Sequence, residues 1–312
     1  MPTMLSLGEA LVEIMRPQPD LPLDRPGPFV GPFPSGAPAI FADCAARLGV
    51  SSGFIGVVGA DDFGTCLRNR LVADGVDVAY LATDPDRLTG IAFVTYHSDG
   101  GRHFLFHLQD AAAGRLGPDH LDHDYVAQAK WLHICGSALA VSESSRKACY
   151  QAVEWVKGAG GQVSLDPNLR PELLGVERIR RICQPVLEAA DVVLPSGEEA
   201  SMLTGISDPE EAAMALLGED RMVALKRGAR GSIIFTSFER LAVPAFPVEE
   251  VDPTGAGDCY GAAFLMGLLE RWPLTQVARF ANAVGALATT RLGPMEGAPT
   301  REEVDAFIRD RS

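Results

Sequence analysis

The sequence has few of the residues on which common catalytic signatures are built. Its six cysteines (Cys44, Cys66, Cys135, Cys149, Cys183 and Cys259) form no Cys-x-x-Cys pair and no metal-ligand spacing with histidine. A disulfide scaffold, a zinc module and a dithiol redox centre are therefore excluded, and the cysteines read as small buried apolar residues of a reducing compartment. Only four lysines are present and none follows a glycine, which removes the Gly-x-x-x-x-Gly-Lys-Ser/Thr phosphate loop. No Gly-x-Gly-x-x-Gly follows the first strand, and neither His-Glu-x-x-His nor Gly-x-Ser-x-Gly occurs. Dinucleotide, metalloprotease and serine-hydrolase readings have no footing. Long apolar runs are missing too: the longest, about residues 259–269, is too short to span a bilayer and stops at Glu270-Arg271. The first residues carry no basic segment followed by an apolar core. No repeat of about 20–50 residues recurs. A cytoplasmic protein is expected.

What is present fits a folded α/β chain. The 312 residues, 47% hydrophobic and 22% charged, suit one large α/β domain spanning 1–312 or two modest ones. Acidic residues outnumber basic ones 41 to 27, a net charge of −14. That field repels phosphate backbones and anionic membranes, so neither nucleic acid nor a membrane is expected as a partner. An anionic small ligand would need a local positive device. Such a device acts at contact distance, whereas the global charge is screened within about 8 Å at physiological salt.

Along the chain, strands and helices alternate. Helical spacing covers 37–48, closed by Gly49, and Asp61/Asp62 opens a second helix running to about 73. Compact apolar runs at 54–58, 131–135, 163–165, 192–194 and 222–225 read as strands, separated by amphipathic segments such as 142–157 and 177–187. Strands joined by helices of that length imply a mostly parallel sheet covered on both faces, a three-layer α/β/α arrangement. Two regions break the rhythm. Residues 10–34 are proline-rich and extended. Residues 89–110 contain two strands, 90–96 and 103–107, around Ser98-Asp99-Gly100-Gly101, a hairpin signal. Together they predict a small antiparallel sheet standing off the parallel core, either a lid or a surface decoration. Helices are expected at 256–270, 274–290 and 301–309, the last opened by a Thr300/Glu303 capping box.

The most informative string is Asp252-Pro253-Thr254-Gly255-Ala256-Gly257-Asp258. Small residues just before a long apolar helix leave backbone N–H groups uncovered at its N-terminus, where the helix dipole also favours negative charge. Asp258 could be an ordinary first-turn acid. A carboxylate beside an anion hole is equally the arrangement that takes a proton from a hydroxyl attacking a phosphoryl group.

This string resembles the second signature of the ribokinase-like (PfkB) carbohydrate kinases, Asp-Thr-Thr-Gly-Ala-Gly-Asp. Further blocks are similar to that family in the family's own order: Ser35-Gly36-Ala37-Pro38-Ala39-Ile40 continuing to Leu48-Gly49, Gly56 to Gly64, Asp166-Pro167-Asn168-Leu169-Arg170, and Leu225-Lys226-Arg227-Gly228-Ala229-Arg230-Gly231. They span about Leu7 to Thr300 and are closest in style to 2-keto-3-deoxygluconate kinases and fructokinases. The resemblance implies ATP and Mg²⁺ as cofactors, a possible monovalent cation such as K⁺, and a homodimer formed through the lid. It implies Asp258 as the base and Gly255, Ala256 and Gly257 as the anion hole. Glu199 would organise Mg²⁺ through water, and Lys226, Gly228, Gly231, Gly257 and Asn282 would line the nucleotide. Gly228 and Gly231 could equally make a hairpin turn, and Asn282 could be a helix-surface residue.

Departures gather at the substrate end, where Glu13, Gly36, Ala37, Ile40, His107 and Arg170 match substrate-binding positions. Ile40 and Ser196 stand where the family has asparagines, and Ser35 replaces a glycine. Arg170 could offer its fork to a carboxylate, which favours a keto-sugar acid such as 2-keto-3-deoxygluconate as the acceptor. The alternative is a neutral ketohexose, fructose or tagatose. His107 and Gln109 stand where keto-acid kinases tend to have tyrosine and arginine, which weakens the first reading. A sugar-binding homologue without turnover is the third.

Overall fold

The computed structural model describes residues 1–99, 101–108, 110–169 and 174–311. Its strands are Met4–Leu7 (β1), Leu11–Met15 (β2), Val30–Ser35 (β3), Ser52–Gly59 (β4), Leu81–Asp84 (β5), Gly90–Tyr96 (β6), Arg102–His107 (β7), Trp131–Cys135 (β8), Gln162–Asp166 (β9), Val192–Val193 (β10), Met222–Lys226 (β11), Ser232–Phe235 (β12) and Arg240–Val243 (β13). The helices are Ala37–Arg47 (α1), Asp62–Ala73 (α2), His123–Ala127 (α3), Gly136–Val141 (α4), Glu143–Gly158 (α5), Val176–Ala189 (α6), Gly197–Thr204 (α7), Pro209–Ala215 (α8), Ala256–Leu269 (α9), Leu274–Ala288 (α10) and Arg301–Arg309 (α11).

Nine strands form one sheet in the order β13-β12-β11-β10-β9-β8-β1-β4-β5. It is parallel from β5 to β11, and β12 and β13 add antiparallel at one edge. Side chains alternate across a strand, so each short apolar run supplies both faces. Leu5, Leu7, Ile55, Val57, Leu132, Ile134, Val163 and Leu165 pack under α3–α8. Met4, Phe54, Val58, Trp131 and Leu194 pack under α1, α2 and α9–α11. The three-layer α/β/α fold follows from that division, each fully buried Leu or Ile contributing about 1.5–3 kcal/mol. No helix among the described residues is long and apolar enough to cross a membrane.

Helix ends follow the local chemistry. Asp61 accepts from Gly64 N at the start of α2, Ser142 from Ser145 N at the start of α5, and Thr300 and Glu303 form the expected capping box on α11; such caps contribute roughly 1 kcal/mol each. Gly49 adopts φ 88° just beyond α1, the left-handed stop that glycine provides.

The second sheet has the order β3-β2-β6-β7. Its two antiparallel pairs, β2/β3 and β6/β7, are joined by a parallel β2/β6 pair. Both joined strands leave the same end of the core sheet, β2 after β1 and β6 after β5, so they run in one direction. The stem of β6 is fixed by Thr89, whose N–H and hydroxyl both donate to Asp61 and whose Oγ1 accepts from Gly59 N. The proline-rich connection from β2 to β3 closes around Arg16, whose guanidinium donates to the carbonyls of Pro22, Arg25 and Pro28 and stacks on Phe29.

Candidate active site

The carboxyl ends of five parallel strands open on one cavity of about 340 Å³. Glu9 follows β1, Ser137 follows β8, Asp166 ends β9, Ser196 follows β10, and Lys226 ends β11; all line it. The strand order turns back between β1 and β8, and in open parallel sheets ligands bind at such a switch point. The lid sheet closes the opposite wall with Leu11, Glu13, Phe104, Phe106 and Leu108.

The N-terminus of α9 forms one side. Gly255 is its N-cap with φ 82° and no side-chain cap bond, so first-turn N–H groups are left for a ligand. Glycine is required here: a Cβ on Gly255 would lie 2.3 Å from the Pro294 carbonyl oxygen, in a backbone region that side chains disfavour. Thr254, Gly255, Gly257 and Asp258 line the cavity; Ala256, expected with them, does not, and its N–H donates to the Pro253 carbonyl at 3.4 Å. Asp258 is 6% exposed and accepts from Asn168 Nδ2 at 3.4 Å. A buried carboxylate one turn into a helix whose free N–H groups share its cavity can remove a proton while those groups hold phosphoryl oxygens.

Lys226 forms the second charged centre. Its Nζ lies 2.5 Å from Asp166 Oδ2 and would sit 3.3 Å from a Cβ at Gly257, which places it beside the anion hole. Burial disfavours the ammonium, yet the carboxylates of Asp166, Glu199 and Asp258 hold its pKa above the ordinary lysine value. Glu199 sits at the third position of α7 and closes a capping box with Ser196. Its Oε1 accepts from Leu169 N and its Oε2 from Ser196 N. The residue expected to organise a metal is thus also a helix cap, with a second lone pair left on each oxygen. A groove of about 550 Å³ continues past Lys226, sharing Arg102, Ser196, Lys226 and Gly228 with the main cavity.

At the substrate end Gly36, Ala37 and Ile40 line the cavity from the start of α1, and Glu13 lines it from β2 with Ser35 Oγ donating to its Oε1 at 2.6 Å. Ile40 is 2% exposed, and its Cγ2 lies close to Gly255. It braces the Gly255 turn with apolar contact where an amide is expected. Arg170 and Gln109 lie outside the described residues.

Three expected positions fall elsewhere. His107 does not reach the cavity: alternation on β7 sends Phe104 and Phe106 inward, and His107 outward against Phe93. Gly231 turns the β11–β12 connection with φ 83°, where a Cβ would meet the Val243 carbonyl at 2.1 Å; only Gly228 of that pair faces the cavity. Asn282 is buried, and its amide donates to the carbonyls of Val243 and Pro244, so it fastens the segment after β13. The structure adds residues for which the motifs assigned no role. Asp166 pairs Lys226. Glu9 lines the cavity from the end of β1. Arg102 bridges the cavity and the groove. Period-two spacing in 102–108 could have found Phe104 and Phe106, but one strand does not reveal which of its faces is covered.

The model of the pfkB family carbohydrate kinases matches residues 1–301. A fructokinase of Escherichia coli is 35% identical, covering 96% of this chain and 97% of that one. A provisionally named ribokinase II of Escherichia coli, solved with ATP and Mg²⁺, superposes with a TM-score of 0.93 at 42% identity over 99% of this chain and 100% of that one. A Vibrio cholerae fructokinase solved with fructose, ADP and calcium superposes with a TM-score of 0.84 at 29% identity over 98% of each chain, and a double mutant of that enzyme carries potassium. The chain belongs to the pfkB family of carbohydrate kinases. It is an ATP-dependent kinase whose acceptor is a sugar hydroxyl.

Proposed function

We propose that the chain transfers the γ-phosphoryl group of ATP to a primary hydroxyl of a neutral ketohexose such as fructose, in preference to a keto-sugar acid. The lining of the cavity carries this reading. Glu9, Glu13, Asp166, Glu199 and Asp258 supply five carboxylates against Lys226 and Arg102 among the described residues. Lys226 is engaged by Asp166, and Arg102 lies at the groove end. Carboxylates accept from neutral hydroxyls, so this lining suits a polyhydroxy sugar. The fructokinases among its relatives support the same choice.

In this reading Asp258 takes the proton of the primary hydroxyl as its oxygen attacks the γ-phosphorus. The bond to the β–γ bridging oxygen breaks, and ADP leaves. The N–H groups at Gly255–Gly257 and the Lys226 ammonium meet the charge on the transferred group. Phe104, Phe106 and Leu108 cover the reacting atoms, which limits attack by water.

Magnesium fits the donors present. No cluster of three metal-ligating side chains occurs among the described residues, and Mg²⁺ keeps several waters and binds mainly through phosphates and one or two carboxylates. Glu199, and Asp166 beside it, would hold it through water, where it neutralises phosphate charge. The potassium-bound relative supports a monovalent cation. The lid's outer face, where Phe29 and Leu105 are 40% and 47% exposed, supports a homodimer formed there.

A coupled ADP-release assay over ketohexoses and keto-sugar acids tests the substrate class. A neutral ketohexose is expected to exceed 2-keto-3-deoxygluconate in kcat/KM by about 100-fold, equivalent to about 2.7 kcal/mol. The opposite order would return the assignment to the keto acid.

A further inference from the structure

The hairpin β6–β7 reaches the catalytic turn with more than covering side chains. Tyr96, the last residue of β6, donates its hydroxyl to Asp252 Oδ1 at 2.5 Å and lies 2.8 Å from Thr254 Oγ1. Asp252 is fully buried and is the hub of the turn that leads into the anion hole. Its Oδ1 also accepts from Thr254 N, and its Oδ2 accepts from Gly293 N. Gly293 and Pro294 form the backing of that turn: the Pro294 carbonyl closes behind Gly255, and Phe33 of β3 packs at Gly293. Across the hairpin, Tyr96 pairs with Arg102, which lines both the cavity and the adjoining groove. The far end of the lid is thus bonded directly to the segment that presents Gly255–Gly257.

We propose that Tyr96 is a positioning residue of phosphoryl transfer, its hydroxyl coupling closure of the lid to the order of the turn that forms the anion hole. When the lid is down, the Asp252 carboxylate receives the Tyr96 bond besides those from Thr254 N and Gly293 N, and the turn is held in one arrangement. When the lid lifts, that bond is lost, Arg102 withdraws from the groove, and the anion hole loosens while water enters. Burial and the neighbouring Asp252 carboxylate push the Tyr96 phenol far above its usual range, so it remains a donor at all working pH values. A hydrogen bond to a charged acceptor is the stronger kind, which suits a latch that forms and breaks in each turnover. The inference rests on phosphoryl transfer by this chain, whichever sugar accepts it.

Tyr96→Phe removes one oxygen and keeps the ring. It is expected to lower kcat about tenfold and leave the sugar KM within about threefold. The ADP released per sugar phosphate should rise above one, because an ill-closed site lets water compete. Thr254→Val, which keeps the Tyr96–Asp252 bond, should have a smaller effect. Amide hydrogen exchange, which needs no substrate, should quicken across 252–257 in Tyr96→Phe but not across α2. Wild-type kcat with one ADP per product would overturn the proposal. So would reduced thermal stability with the product ratio still at one and exchange at 252–257 unchanged.

Discussion

Asp258→Asn is expected to lower kcat by about 10³- to 10⁴-fold, the contribution of a well-placed general base. Asparagine keeps the shape of the side chain but cannot take the hydroxyl proton. Asp258 is almost fully buried, is aligned by Asn168 and lies within the first turn of α9, beside the N–H groups at Gly255–Gly257. Sugar binding should persist, because Glu13, Gly36 and Ala37 form a separate wall of the cavity. Steady-state kinetics paired with a sugar-binding titration checks both halves. Retained turnover would remove the role assigned to Asp258, and lost binding would make it chiefly a sugar ligand.

Lys226→Met is expected to damage stability and nucleotide use together. Asp166 is 1% exposed, and its ion pair with Lys226 is nearly enclosed. Removing one member of such a pair leaves an uncompensated buried charge, at a cost of about 3 kcal/mol or more. The pKa of Lys226 is raised in the folded chain, so its stabilising contribution is fully present below the unfolded lysine value near 10.5. That contribution is lost only as the pH rises through the folded value. At neutral pH the whole loss should therefore appear in a denaturant titration. Adding Asp166→Asn to the same variant should recover most of the stability. It should not recover the affinity for ATP, because the cation beside the anion hole is still missing. Recovery of both would reduce Lys226 to a structural partner of Asp166.

Much of the scaffold was legible because it depends on short-range chemistry. The runs that end in Cys135, Leu165 and Leu225 were readable as strands, and Gly49 and the Thr300/Glu303 box marked helix ends by mechanisms that need no tertiary context. The turn at Gly255–Asp258 was legible as a cavity wall for the same reason: a glycine-rich helix start and an acid are properties of a few consecutive residues. Other features depended on packing. Gly231 and Asn282 carry residue types that suit a nucleotide site, yet both are used to hold the strand edge around Val243. His107 and Phe106 are neighbours on one strand, and only the position of the lid over the core decides which faces the sugar. The pairing of Lys226 with Asp166, 60 positions apart in sequence, and of Tyr96 with Asp252, 156 apart, arises only once β9 and β11 flank β10 and the lid folds over the start of α9. The net charge of −14, which argued against nucleic acid and membranes, also appears locally: acids dominate the described sugar end, and positive devices gather where phosphate would lie.

The most direct measurement is calorimetric titration of the Asp258→Asn variant, in the presence of Mg²⁺ and a non-hydrolysable ATP analogue, with fructose and with 2-keto-3-deoxygluconate. Turnover is then absent and affinity alone is read. Binding of fructose at least about 100-fold tighter than the acid, or about 2.7 kcal/mol, is the expected result. Tighter binding of the acid would contradict the assignment of a neutral ketohexose to this cavity.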